Sequence, residues 1–202
     1  MKTKVAAIYG KQDVRIREFE LPEISDNELL VSVISDSVCL STWKAAKLGS
    51  EHKRVPDDLE NHPVITGHEC AGVIVEVGKN LTEKYKKGQR FVLQPAMGLP
   101  TGYSAGYSYE YFGGNATYMI IPEVAINLGC VLPYHGSYFA AASLAEPMCC
   151  IIGAYNANYH TTQYVYEHRM GVKPGGNIAL LACAGPMGIG AIDSVSYTHL
   201  TL

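Results

Sequence analysis

The sequence predicts a mixed α/β fold that is rich in β-strands, with a β-barrel domain over residues 1–143 and the beginning of a parallel-sheet domain over residues 144–193. Up to residue 121, short apolar runs alternate with polar residues and are separated by glycine and proline, as in small barrels whose strands turn sharply. From about Phe139, small apolar residues replace this pattern and favour helix. A continuous apolar run then leads into a glycine-rich turn, which is typical of a buried parallel strand and its loop.

The barrel strands are predicted in chain order from runs of β-branched and aromatic residues with period two. The segments are residues 5–9, 14–17, 29–34, 73–77, 90–94 and 118–121. A short helix is expected around residues 42–46, and Pro56 and Pro63 bracket the polar loop that follows it. Four tyrosines lie between residues 98 and 114 in a glycine-rich stretch without metal-ligand spacing, which we interpret as a long loop on the barrel.

The second domain is predicted to begin with a linking helix that runs to about residue 155. The turn PGG at residues 174–176 then leads into the apolar run IALLA at 178–182, which we expect to form the first buried strand. The last nine residues, 194–202, are dominated by serine and β-branched residues where a small-apolar helix should run. Because they resemble translated adapter sequence, we interpret them as a non-native tail and expect native sequence to stop near Asp193.

Composition and charge exclude several classes of partner. The formal net charge of −3 is small and unpatterned, so no basic face for nucleic acid is expected. No run of about 18 or more apolar residues and no signal-peptide core occur, which predicts a cytoplasmic protein without a membrane partner. The six cysteines are scattered apart from the adjacent pair Cys149 and Cys150, so we expect reduced thiols and a small-molecule partner.

Three segments carry residues that could bind a catalytic metal. They are CLS at 39–41, TGHECAGVIVEVG at 66–78 and LAEP at 144–147. A catalytic zinc takes about three protein ligands from thiolate, imidazole and carboxylate groups and keeps one position open. Cys39, His68 and Glu146 supply such a set. Taken singly, they would more often be a core thiol, a hydrogen-bonded histidine and a surface charge, and only their joint occurrence favours a site.

A second group of residues has the pattern of a dinucleotide-binding loop. The run CAGPMGIG at 183–190 follows the apolar run directly, where such folds place Gly-x-Gly-x-x-Gly before a helix. Glycines there let the backbone approach a pyrophosphate, whose charge is met by amides at the start of the helix. Gly185 and Gly188 take the second and third glycine positions, while Cys183 replaces the first. We predict that Gly185, Pro186, Met187 and Gly188 bind NAD or NADP.

These segments occur in one order over almost the whole chain, and together they resemble the zinc-dependent medium-chain dehydrogenases and reductases. Glu146 and the carboxylate of Glu69 resemble the sorbitol dehydrogenase-like branch, and the opening sequence is most similar to L-sorbose 1-phosphate reductases. The resemblance implies a GroES-like β-barrel catalytic domain followed by the start of a Rossmann domain.

The resemblance also implies roles for single residues. Cys39, His68 and Glu146 would bind one catalytic Zn²⁺, and Glu69 would be either a fourth ligand or a catalytic residue that orients the site. Ser41 would pass a proton to the bound alkoxide. No structural zinc is expected, because residues 88–122 contain no cysteine. The implied reaction interconverts a ketose, such as a sugar phosphate, and a polyol with a nicotinamide cofactor, in a full-length form that is a homo-oligomer.

Two alternatives remain open at this point. A zinc-free quinone or enone reductase has the same fold, but its metal-ligand positions would be filled by other residue types. A non-enzymatic zinc-binding barrel is the second alternative. We expect this chain itself to be an inactive fragment, because its parallel sheet would have only a first strand.

Overall fold

A computed structural model describes the backbone of residues 1–200 and the side chains of residues 1–195. The chain divides into a first compact unit, Met1–Leu144, and a second that begins at Ala145. Within the described residues, no helix is both long enough and apolar enough to cross a bilayer.

The first unit is built from short antiparallel strands and three short helices. The strands are β1 Lys2–Gly10, β2 Asp13–Glu20, β3 Leu29–Asp36, β4 Val64–Ile65, β5 Cys70–Val77, β6 Arg90–Leu93, β7 Tyr118–Ile121 and β8 Val131–Pro133. The helices are α1 Leu40–Leu48, α2 Glu123–Asn127 and α3 Phe139–Ala142. All six predicted strands and the predicted short helix are therefore confirmed, with β4 and β8 as additions.

The strands form two sheets with the orders β2-β1-β4 and β7-β3-β5-β6-β8. An isolated bridge between Val5 and Ala116 links the strand β1 to the chain just before β7. β3 and β5 make the longest pairing of the larger sheet, and register shifts after Leu30 and Val33 mark irregularities in it. Only glycine fits at position 72, because a Cβ there would lie 2.0 Å from the carbonyl oxygen of Ser32.

The core of the first unit lies against the larger sheet. Phe91, Ile74 and Met119 are at most 1% exposed and belong to one cluster. The tyrosine-rich stretch 98–114 has no helix or strand, as predicted, yet it does not simply cover the surface. Its residues Tyr107 and Phe112 are buried, Tyr107 in a separate cluster beside α1. This loop therefore contributes side chains to the core, because burial of aromatic rings away from water is favourable.

The second unit contains the helix α4 Ala145–Ala157, the hairpin of β9 Tyr159–Thr161 and β10 His168–Met170, and the helix α5 Pro186–Leu200. α4 and α5 pack together, with Gly190 close to Ile151. The helix predicted after residue 139 is thus present as α3 and α4.

Two expectations for the second unit are wrong. Residues 178–182 form no strand, and Leu181 is 92% exposed. A strand buried in a parallel sheet needs neighbours to hydrogen-bond with, and the strands described in this unit, β9 and β10, pair only with each other. The tail was expected to break the helix, but α5 continues to Leu200, since β-branched residues lower helix propensity only slightly. The last two tail residues lie outside the described part of the chain.

Candidate metal centre

The paired ends of β3 and β5 position the candidate metal centre. β3 ends at Asp36, and Cys39 follows it in extended conformation directly before α1. Glu69 directly precedes β5, and the backbone N–H of Ser37 donates to its carbonyl at 3.1 Å. Because antiparallel pairing continues one residue past both strands, Cys39 and the His68–Glu69 pair are held at the same edge of the sheet.

The structure brings together Cys39, His68 and Glu69, whose ligand atoms all lie within 4.8 Å of one another. Among the side chains that the structure describes, this is the one group of three such residues. His68 and Glu69 are each 5% exposed, whereas Cys39 is half-buried. A thiolate, an imidazole and a carboxylate are the donors that zinc binds, so the set fits this metal.

His68 is oriented so that one ring nitrogen can serve as a ligand. Its Nε2 lies 3.9 Å from Glu69 Oε1, while its Nδ1 lies 3.4 Å from the hydroxyl of Thr42. A second partner at the other nitrogen is what fixes the tautomer of metal-binding histidines. Burial lowers the pKa of His68, against the raising effect of the Glu69 charge, so the imidazole is neutral and able to bind a cation.

Ser41 is at the centre of a group of polar contacts beside these three residues. Its Oγ lies 2.9 Å from Cys39 Sγ and 3.4 Å from His68 Nε2, and it accepts a hydrogen bond from the hydroxyl of Tyr107 at 2.7 Å. Burial raises the pKa of the Cys39 thiol, which favours the protonated form unless a positive charge is near.

Glu69 makes hydrogen bonds through both its side chain and its backbone. Its Oε2 accepts a hydrogen bond from Ser37, and its N–H donates to Asp36 Oδ1 at 3.0 Å. Asp36 Oδ2 is buried and has no hydrogen-bond partner within the described residues. Burial raises the pKa of Asp36 to about 7, more than its bond from Glu69 lowers it. The structure thus places a second carboxyl group directly behind the candidate ligands.

Tyr107 belongs to the site although it could not be selected from the sequence. The tyrosine ring lies 4.9 Å from the His68 ring and is stacked on His52 at 5.7 Å, with the guanidinium of Arg54 over it at 5.2 Å. Tyr107 is one of four tyrosines in its glycine-rich loop, and nothing in the local pattern distinguishes it from the other three.

The remaining predicted site residues lie in the second unit. Glu146 is in the first turn of α4, where its Oε1 accepts a hydrogen bond from Cys150 Sγ at 3.6 Å. Its role as a metal ligand stays a prediction. Of the predicted cofactor residues, Gly185 directly precedes α5, and residues 186–188 form its first turn. A Cβ on Gly188 would lie 2.3 Å from the carbonyl oxygen of Cys183, whereas Gly185 has open space.

Comparison with known proteins places the first unit in a family. Residues 25–130 match the alcohol dehydrogenase GroES-like domain. The chain belongs to this family. The matched range contains Cys39, His68 and Glu69, so the family resemblance deduced from their motifs is confirmed, as is the β-rich mixed α/β fold with a GroES-like domain.

Several curated relatives align over almost the whole chain. The uncharacterized protein YggP of Escherichia coli K12 is 95% identical over 193 residues, which are 96% of this chain and 45% of the relative. Mannitol-1-phosphate 5-dehydrogenase of Aliivibrio fischeri is 72% identical, over 95% of this chain and 45% of the relative. L-sorbose 1-phosphate reductase of Klebsiella pneumoniae is 44% identical, over 95% and 47%. The chain spans about half the length of these relatives.

Two solved structures share the fold over nearly the full chain. The 2R,3R-butanediol dehydrogenase of Bacillus subtilis superposes with a TM-score of 0.71 at 23% identity, over 96% of this chain and 55% of that one. The cobalt- and zinc-bound alcohol dehydrogenase of Pyrobaculum aerophilum also reaches 0.71, at 18% identity over 98% and 57%. At these identities the likeness concerns the fold.

Proposed function

We propose that this protein is the catalytic part of a zinc-dependent oxidoreductase that interconverts a ketose and a polyol by hydride transfer with NAD or NADP. One observation carries the proposal: Cys39, His68 and Glu69 converge to within 4.8 Å inside a GroES-like domain of the alcohol dehydrogenase family. The relatives named for mannitol 1-phosphate and L-sorbose 1-phosphate favour a phosphorylated substrate.

Cys39, His68 and Glu69 would hold the metal, with Glu146 as a further ligand from α4. When bound, zinc at such a site polarises a carbonyl or alcohol oxygen as a Lewis acid. We propose a single catalytic zinc and no structural one, because the loop between β6 and β7 contains no cysteine. If Nδ1 donates its hydrogen to the hydroxyl of Thr42, Nε2 carries no hydrogen and can bind the metal.

Ser41 is the proposed proton carrier. Because Tyr107 donates its hydrogen to Ser41 Oγ, the serine's own hydrogen is left to point at another acceptor, such as a substrate alkoxide. Tyr107 therefore acts as a positioning residue for Ser41. Glu69, fixed by Ser37 and by Asp36, would hold its carboxylate at the site without rotating.

The cofactor would bind at the loop Gly185, Pro186, Met187 and Gly188. A bound nicotinamide accepts or supplies the hydride. The close approach of Gly188 to the backbone of Cys183 supports a tight loop at the start of α5, where helix N-terminal amides favour phosphate groups. We also propose that the 202 residues alone do not turn over substrate, because residues 178–182, which should support this loop as a strand, are not a strand.

Cobalt(II) in place of zinc provides the direct test. Ligation by a thiolate and an imidazole gives visible absorption bands that the free ion lacks, and we expect them in the parent chain. His68→Ala should lose these bands, while His62→Ala, which removes an exposed histidine outside the cluster, should keep them. Equal spectra for the two variants would contradict the assignment.

The reaction is tested in the longer protein that has the length of the relatives. Loss of reduced nicotinamide absorbance on addition of a ketose phosphate, dependent on zinc, is the expected result. Turnover that persists after complete removal of zinc would instead support the zinc-free reductase.

A further inference from the structure

A pocket of about 420 Å³ lies in the first unit. It is lined by the loop residues 96–104 and by Lys53 and Arg54. Both charged residues of the lining are therefore cations. Among the described residues neither of them takes part in an ion pair, so their charges are not neutralised by the protein.

Arg54 is held in place by three contacts. Its backbone N–H donates to His52 Nδ1 at 3.3 Å, and its carbonyl accepts from the hydroxyl of Ser108 at 2.6 Å. Its guanidinium lies 5.2 Å from the centre of the Tyr107 ring. The two hydrogen bonds fix the backbone of Arg54, and the ring contact restricts its guanidinium, so less conformational freedom is lost when it binds an anion.

The loop part of the lining contains a buried hydroxyl and two glycines. Ser104 is 4% exposed, and its hydroxyl has no hydrogen-bond partner within the described residues. Gly98 and Gly102 have positive φ values, and no atom of the described residues lies within 4 Å of where their Cβ atoms would be. A buried hydroxyl without a partner in the protein needs one from outside the chain, which can be a water molecule, an ion or a polar group of a ligand.

Tyr107 contacts both the candidate metal centre and the pocket residue Arg54. The hydroxyl of Tyr107 contacts Ser41 and lies 3.4 Å from His68 Nε2, while the guanidinium of Arg54 lies over its ring. A group bound by Arg54 would therefore be about the length of a tyrosine side chain away from the reacting atoms. The carbon chain of a hexitol spans a comparable distance.

We propose that this pocket binds the phosphate of a phosphorylated hexitol or ketohexose, with Arg54 as the principal contact and Lys53 as a second cation. This inference rests on the proposed function and adds its specificity site. A phosphate monoester carries a charge between −1 and −2 near pH 7, and the guanidinium fork matches its oxygens. The preferred substrate would carry its phosphate several carbons away from the carbon that is oxidised or reduced.

The test measures binding by isothermal titration calorimetry of the zinc-loaded chain in phosphate-free buffer. Mannitol 1-phosphate, mannitol and inorganic phosphate are the three probes. Arg54→Gln removes the charge, Arg54→Lys keeps the charge but not the fork, and Arg17→Gln is the matched control. Arg17 also lies over a tyrosine ring, that of Tyr9 at 5.4 Å, but it does not line the pocket.

We expect Arg54→Gln to raise the Kd for mannitol 1-phosphate by about 10- to 100-fold, since hydrogen bonds to charged groups contribute about 1.5–3 kcal/mol. Arg54→Lys should give an intermediate value, Arg17→Gln should match the parent, and mannitol binding should be the same in all. Inorganic phosphate should compete with mannitol 1-phosphate in the parent.

Several results would overturn the proposal. They are equal affinity of the parent for mannitol and mannitol 1-phosphate, no measurable binding of either, and equal weakening by Arg54→Gln and Arg17→Gln. Binding of inorganic phosphate but not of the sugar phosphate would show a site for free anions instead. Zinc measured on the same samples separates these failures from failure of the metal centre, because neither arginine is among its ligands.

Discussion

Two substitutions of Tyr107 separate what its ring does from what its hydroxyl does. The side chain is 2% exposed and packs in a cluster with Ile8, Val55 and Leu59. Tyr107→Phe removes the hydroxyl that donates to Ser41, and the loss of one such hydrogen bond lowers the free energy of unfolding by about 1 kcal/mol. Tyr107→Ala also removes the ring, and truncation of a buried aromatic side chain costs about 3–5 kcal/mol.

Urea unfolding followed by tryptophan fluorescence measures both effects. The single tryptophan, Trp43, lies in α1, so its signal reports the first unit alone. With an m-value of about 2 kcal/mol/M, the midpoint should fall by about 0.5 M for Tyr107→Phe and by about 2 M for Tyr107→Ala. Zinc content should not change in Tyr107→Phe. Equal midpoints for the two variants, or loss of zinc from the phenylalanine variant, would refute this reasoning.

Three further predictions concern glycines and the proposed proton carrier. Gly67→Ala should lower the free energy of unfolding of the first unit by about 3 kcal/mol or more, because φ is +87° and a Cβ would lie 2.1 Å from Asp36 Oδ2. Gly98→Ala, where φ is +64° and a Cβ would have open space, should lower it by about 1–2 kcal/mol. Similar urea midpoints for the two variants would contradict this. Gly188→Ala should speed amide hydrogen exchange at the start of α5, because its Cβ would lie 2.3 Å from a carbonyl oxygen, while Gly185→Ala should leave exchange unchanged; faster exchange in both would rule out the packing argument. Ser41→Ala should keep zinc at the parent ratio but lower turnover in the longer protein by about 100-fold, as expected for a proton-transfer group; loss of zinc would contradict its assigned role.

Much of the barrel could be predicted from its runs of β-branched and aromatic residues, and one strand also alternates buried and exposed side chains. β1 follows this pattern closely, from buried Thr3 and Val5 to buried Ala7. β8 was missed because it has three residues, of which only Val131 is buried, too few to show a period. The strand expected at residues 178–182 failed for a different reason. Its apolar composition is right, but a strand forms only where another strand satisfies its backbone.

Some residues of the candidate site could be predicted from the sequence and others could not. Cys39 and His68 could be selected from residue types and motifs, and Glu69 from the family resemblance, because the segments that carry them are short extensions of paired strands. Tyr107 could not, since its contact with Ser41 joins residues 66 positions apart and depends on how a loop without regular structure folds back. Asp36 was missed because nothing in a strand sequence indicates that its terminal carboxylate turns inward.

Zinc content of the purified chain after extensive dialysis, measured by elemental analysis beside a Cys39→Ala variant, tests the central claim most directly. The measurement needs no substrate and no cofactor. About one zinc per chain in the parent and none in the variant is the predicted result, because removal of the thiolate leaves too few ligands in the cluster. A folded parent without zinc, or a variant that keeps it, would contradict the account.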